Sequence, residues 1–173
     1  MKALSYGLVY GLSAFGLSQQ LAISAGEAKK IMQSYFERFG GVKNYLDQVV
    51  EDARDSGYTA TLYGRRRYLP ELKGSNRVAR ENAERAALNA PIQGTAADII
   101  KLAMLRVDRA LSREGMRSRV LLQVHDELVV EVAPGELERA TALLEREMDN
   151  AATLRVPLDV SAGSGENWDA AAH

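Results

Sequence analysis

Val120-Leu121-Leu122-Gln123-Val124-His125-Asp126-Glu127-Leu128-Val129-Val130-Glu131-Val132 sets the architecture, because two apolar, β-branched runs flank the polar triplet His125-Asp126-Glu127. Each run has the length and composition of a strand, so the stretch predicts an antiparallel hairpin carrying three ionisable residues at its tip. Carboxylates fixed on such a rigid element suit a hard divalent cation, which takes oxygen ligands. A solvated polar turn is the plainer reading of the triplet in isolation. The rest of the chain argues against it.

On the N-terminal side of the hairpin, Thr95-Ala96-Ala97-Asp98 has the composition of a helix cap. Ile99, Ile100, Ala103, Met104, Val107 and Leu111 then recur at helical spacing until Gly115 stops the run, which predicts a long helix packed under the sheet. On the C-terminal side, Pro134-Gly135 opens a helix to about Asn150, and residues 156–162 alternate like a last strand. Further upstream, Ser24 and Glu27 have capping-box spacing ahead of Ala28, Ile31, Met32, Tyr35, Phe36 and Phe39, a run ended by Gly40-Gly41. Val42, Tyr45, Leu46, Val49, Val50 and Ala53 mark a second amphipathic helix closed by Gly57. Helices mixed with antiparallel strands in this order predict an α+β fold: a helical portion, then a hairpin and strands packed on helices.

Three further stretches carry chemistry. Lys2, Tyr6 and Tyr10 are spaced by four, so a helix over 2–13 places a cation and two rings on one face, with Gly7 and Gly11 leaving room beside them. Residues 58–62, a Tyr63-Gly64 turn and Arg65-Arg66-Arg67-Tyr68 read as a small hairpin crowned with guanidinium groups, whose forks match phosphate oxygens. Arg77, Arg80 and Arg85 extend the positive region along a helix that Asn89, Pro91, Gln93 and Gly94 are expected to break. Arginine mixed with Asn and Gln is common among groups that contact nucleic acid.

Composition sets the bounds. With 173 residues, 46% hydrophobic and 26% charged, the chain has material for a real core and is not a disordered polyelectrolyte. Its net charge of -1 exerts no global pull on nucleic acid, but residues 65–85 hold seven Lys or Arg against three Glu, while 135–150 hold five acids against two Arg. One face of a near-neutral protein can therefore be basic. The chain has no cysteine, which excludes disulfides and thiolate metal sites and suits a reducing cytoplasm. Met1-Lys2 followed by a mostly apolar stretch to Leu17 imitates a secretory signal, but the tyrosines, serines and glycines within it and the single Lys argue against one. No run approaches the ~18 apolar residues of a membrane span.

Taken together, three ordered blocks resemble the C-terminal part of the family A polymerases, the bacterial DNA polymerase I family. Lys2-Ala3-Leu4-Ser5-Tyr6-Gly7-Leu8-Val9-Tyr10-Gly11 is similar to the fingers helix motif, Arg85 with Asn89 to Asp98 to the following palm segment, and Gln123 to Glu127 to the palm motif with the catalytic carboxylate. The resemblance runs from Lys2 nearly to Trp168 and includes the connecting stretch from Tyr63 to Tyr68.

It implies template-directed nucleotidyl transfer from a dNTP to a primer 3′ hydroxyl, by a two-metal mechanism with Mg2+. In that scheme Asp126 is a metal ligand and Glu127 supports the site. Lys2 grips the triphosphate and can protonate pyrophosphate; Tyr6 stacks beside the incoming nucleotide; Tyr10 with Gly11 occupies the templating position. Arg85, Asn89, Gln93 and His125 line the primer-template minor groove and primer terminus, where acceptors are nearly the same for every correct pair. The implied division is fingers over 1–75 and partial palm over 76–173, with the catalytic hairpin at 120–132.

The departures matter too. The family's second palm aspartate and the arginine one turn before Lys2 have no counterpart in these 173 residues, nor do the thumb and exonuclease-like domains. The chain therefore reads as a fragment whose partners are primer-template DNA, dNTPs and the remaining palm and thumb, with no membrane. A metal-dependent phosphohydrolase built on His125-Asp126 would need more histidines than the one other, His173. A non-catalytic nucleic-acid-binding module is the serious rival, and primer extension separates the two.

Overall fold

Apolar and small residues at helical spacing open the chain as α1 (Lys2–Val9), shorter than the helix over 2–13 that the Lys-Tyr-Tyr spacing predicts. In the computed structural model, which describes residues 2–171 apart from the side chains at positions 2–4 and 9, the chain turns at Gly11 with φ 78°. Ser13 does not end α1 but caps a further helix, α2 (Ala14–Leu21), accepting from the Gly16 N–H at 3.1 Å. This helix is absent from the periodicity reading, because an eight-residue element offers little more than two turns of pattern.

The capping box forms as expected. Ser24 Oγ accepts from the Glu27 N–H at 3.2 Å and Glu27 Oε2 accepts from the Ser24 N–H at 3.0 Å, opening α3 (Ala25–Arg38). The Ser24 hydroxyl, aided by its backbone N–H, holds the Glu27 carboxyl below its ordinary range. The break after α3 falls at Phe39, and Gly40 and Gly41 begin α4 (Gly40–Ser56) rather than ending α3. Gly57, at φ 81°, closes α4 in the left-handed region. Strands β1 (Tyr58–Ala60) and β2 (Arg66–Tyr68) follow as an antiparallel pair with Thr59 opposite Arg67, then a 3-10 turn over Pro70–Lys73.

The long helix α5 (Arg77–Arg113) corrects the sequence reading most. Asn89 to Gly94 do not break it, and Thr95 to Asp98 do not cap a new one; Pro91 lies inside a continuous helix. Pro in a helix interior costs about 3 kcal/mol through its missing N–H and ring clash. Burial on both sides of the proline offsets that cost: Ala83, Ala87 and Pro91 are buried before position 95, and Ile100, Ala103 and Val107 are buried after it. Thr95 is buried as well, and its hydroxyl accepts from the Leu62 N–H at 3.0 Å instead of capping α5.

Two compact units result, residues 1–95 and 96–173. In the first, Ala53, Leu69, Leu72, Ala83 and Ala87 form the core, and Arg54 pairs with Glu84 across it at 2.6 Å. In the second, Val107, Ala110, Leu111 and Leu143 pack with Met116, Val120, Leu128, Leu144 and Met148, joining α5 to α6 (Leu137–Asp149) beneath the hairpin of β3 (Arg119–Val124) and β4 (Glu127–Glu131). The short α7 (Trp168–Ala171) ends the described chain. Residues 156–162 pair with no strand among the described residues, contrary to their alternation. Alternation defines two faces, but a strand also needs a neighbour to complete its ladder. Helices with two antiparallel pairs make the α+β class observed, and among the described residues no helix is long and apolar enough to cross a membrane.

Candidate active site

Candidate residues fall in both units. In the first, the turn after α1 brings Tyr10 and Gly11 to a pocket of about 630 Å³ that is also lined by Gly7, Phe15, Arg85 and Leu88. The Tyr6 and Tyr10 rings are stacked, 6.4 Å apart with 15° between their planes, so the predicted common face persists although Tyr10 lies past the end of α1. Tyr6 remains 53% exposed. The Lys2 side chain lies outside the described residues, as does all of His173.

Gly11 is glycine chiefly for its conformation, and its lack of a side chain lets the turn lie close to α5. Its φ of 78° disfavours any L side chain, and a Cβ there would sit 3.2 Å from Leu88 Cδ1 and 3.6 Å from Arg85 Cγ. The backbone of the turn is thus packed directly on the face of α5 that carries Arg85, whose guanidinium donates to Asn82 Oδ1 at 2.8 Å while staying exposed. Glu81, Glu84, Arg85 and Leu88 all line the pocket. Their spacing of three and four is the signal that could have identified this face from sequence.

Asn89 and Gln93 sit one turn further along α5, four residues apart and so on one face. Gln93 is exposed, whereas Asn89 Oδ1 is buried and accepts no hydrogen bond among the described residues. A buried amide oxygen without a donor is costly and marks a place where a ligand or partner group can serve.

In the second unit the hairpin tip is tighter than the sequence suggests. Val124 pairs with Glu127, leaving His125-Asp126 as a two-residue turn, with a register irregularity between Val120 and Leu122. His125 takes φ 52° and Asp126 does not follow it, the sign pattern of a type II′ turn in which glycine is usual. An L residue held there costs about 1–2 kcal/mol, and such strain clusters at functional sites. Gln123 Nε2 donates to the His125 carbonyl at 3.1 Å and braces the turn. His125, Asp126 and Glu127 are exposed, so all three can meet a ligand.

At the other end of the hairpin, Glu136 does what sequence reasoning missed. Its carboxylate accepts from the Arg117 N–H at 3.0 Å, the Ser118 N–H at 2.9 Å and the Ser118 hydroxyl at 2.5 Å, tying the entry to β3 to the exit from β4. The Ser118 hydroxyl first, then the backbone donors, lower its pKa to about 2.

Against this geometry, the model of the DNA polymerase family A matches residues 1–170. The chain belongs to that family. This family A chain is 65% identical over its whole length to DNA polymerase I of Mycobacterium bovis, of which it covers 19%, and 50% identical over 167 residues to that of Streptococcus pneumoniae, covering 96% of itself and 19% of the relative. It therefore spans about a fifth of the length of the curated relatives it matches. Among solved structures, it resembles the POL domain of Pol1 from M. smegmatis, in complex with DNA primer-template and dNTP, at TM-score 0.96 and 64% identity, over 99% of this chain and 30% of that one.

Proposed function

We propose that this chain supplies the fingers (residues 1–75) and part of the palm (76–173) of a DNA-directed DNA polymerase I that transfers a nucleotide from a dNTP to a primer 3′ hydroxyl, in replication and repair. The observation that carries this reading is the pocket where Tyr10 and Gly11 meet Arg85: an aromatic ring, an open backbone and a guanidinium are what a nucleobase and its phosphate require. Lys2 and Tyr6 receive the dNTP; Tyr10, Gly11, Arg85, Asn89, Gln93 and His125 receive template and primer. The pairing-indifferent minor-groove acceptors suit amides such as Asn89 and Gln93, which then test geometry without reading sequence. The compartment is cytoplasmic, and no membrane is involved.

Magnesium is the cofactor in this reading. Asp126, with Glu127 beside it on the exposed tip, offers the hard oxygens such an ion takes. Among the described residues, however, no three His, Cys, Asp or Glu side chains converge in a way that could hold a metal. The chain's own residues therefore fit part of a donor set, not a whole one, and the remaining ligands come from the rest of the palm. The ion would stabilise charge on phosphate oxygens. The protein's part is to hold Asp126 rigidly on a braced turn.

A labelled primer-template titration at several salt concentrations, followed by addition of dNTPs and Mg2+, tests the reading. The chain alone is expected to bind duplex without sequence preference, weakening with a slope of about -0.9 per phosphate neutralised, and not to extend the primer. Joined to the matching remainder of a mycobacterial polymerase, it is expected to extend. Failure of that chimera, correctly folded, refutes the polymerase assignment and leaves the non-catalytic binding module.

A further inference from the structure

The three consecutive arginines after Gly64 meet different fates. Arg65 Nη2 donates to the Gly94 carbonyl at 2.9 Å, Arg66 stacks 4.4 Å over the Tyr58 ring, and Arg67 is exposed without an ion pair, side-chain hydrogen bond or ring contact among the described residues. The turn bearing Arg65 is closely built. Thr61 N–H donates to the Arg65 carbonyl at 3.0 Å, and Thr61 Oγ1 accepts from the N–H groups of Tyr63 and Arg65 at 3.3 and 3.2 Å. Leu62 N–H reaches the Thr95 hydroxyl at 3.0 Å. A Cβ at Gly94 would lie 2.7 Å from Thr61 Cγ2 and 3.3 Å from Arg65 Nη2, so the turn and α5 touch only because position 94 has no side chain.

From this we infer that Arg65 is a positioning residue and not the phosphate contact its place in a basic triplet suggests: it latches the 61–65 turn onto the turn of α5 that carries Asn89 and Gln93, and so fixes where those two amides are presented. The inference rests on the DNA-binding reading above and deepens it. Pro91 removes one backbone hydrogen bond from this turn of α5, and the latch supplies two contacts from outside the helix, at Gly94 and Thr95, within one turn of that gap. A helix weakened at its proline is where an external brace matters most.

Charge and position can be separated experimentally. Duplex binding by the chain is measured with labelled primer-template over a salt series, because a lost phosphate contact lowers the log–log slope by about 0.9 whereas a lost position does not. Arg65→Ala is expected to weaken binding about two- to tenfold at unchanged slope, the effect of one or two misplaced hydrogen bonds. Gly94→Ala keeps every charge yet displaces the turn, and is expected to give the same loss. Their combination is expected to be no weaker than either alone by more than about twofold, since both disturb the same approach of the turn to α5. Arg67→Ala is expected to lower the slope by about 0.9. Should Gly94→Ala not fold, Thr95→Val removes the acceptor of the Leu62 amide at the same charge. In the free chain, Arg65→Ala should also speed hydrogen exchange at the Leu62 amide while the helical signal is kept. The inference is overturned if Arg65→Ala lowers the slope as Arg67→Ala does while Gly94→Ala binds like the parent, or if Leu62 exchange is unchanged. Absence of duplex binding by the unaltered chain is a different result: it refutes the DNA reading itself.

Discussion

Replacing Gly11 with alanine tests whether the turn after α1 is built as described. Gly11 sits at φ 78°, and an L residue in the left-handed region costs about 1–2 kcal/mol. The added Cβ meets Leu88 Cδ1 at 3.2 Å, a contact that half-buried Leu88 can relieve by moving a few tenths of an ångström, so sterics add little to the backbone cost. The net expectation is a loss of about 1–2 kcal/mol, or roughly 0.5–1 M in the urea midpoint for a slope near 2 kcal/mol/M. The control is Gly41→Ala. Gly41 lies in the first turn of α4, has no positive φ and has nothing within 4 Å of where a methyl group would sit, so the same change there should stabilise, by up to about 1 kcal/mol. Urea unfolding followed by far-UV circular dichroism reads both variants, with unchanged slope as the check that only the midpoint has moved. Equal effects at the two positions, or a Gly11→Ala variant as stable as the parent, would refute the argument that conformation at position 11 is what selects glycine.

In a polymerase carrying this chain, Asp126→Asn is expected to abolish nearly all incorporation while primer-template affinity stays within a few fold, because the lost charge serves the transition state and not the duplex; single-turnover rates and duplex titration on the same variant check both halves. Leu143→Ala removes a side chain only 1% exposed at the centre of the α5–α6 core and should cost about 2–5 kcal/mol, measured by denaturant unfolding; a loss under about 1 kcal/mol would mean the core is loosely packed. Glu136 has a depressed pKa, so its contribution to stability is fully present above its ordinary value of 4.5 and is lost as pH falls toward about 2. Glu136→Gln should therefore be less stable than the parent at neutral pH, with the difference shrinking through that window; a difference independent of pH would refute the assigned cause.

Much of the chain is legible without coordinates wherever local chemistry is sufficient. The Ser24–Glu27 capping box, the stop at Gly57, the helix after Pro134-Gly135 and the hairpin around His125-Asp126 each depend on residues within a few positions of one another, so spacing and residue type determine them. The same holds for the family, since ordered motifs survive along the chain whatever their arrangement in space.

What the sequence left undetermined depends on partners distant in the chain. Pro91 reads as a break, but α5 runs through it because burial of residues before and after the proline outweighs a local penalty. Thr95 reads as a cap, yet its hydroxyl is taken by Leu62 from 33 residues away. Residues 156–162 alternate as a strand does and still pair with no strand among the described residues, because a ladder requires a neighbour that alternation cannot provide. Three adjacent arginines look alike in the sequence and are all exposed, yet differ in the fold, since tertiary contacts place one on the Gly94 carbonyl and one on the Tyr58 ring and give the third no such contact among the described residues. Local propensities amount to about 1 kcal/mol per residue, with proline near 3, and burial of several side chains against a remote partner exceeds them. Residue type therefore states what a position prefers, and the tertiary structure decides which preferences are overruled.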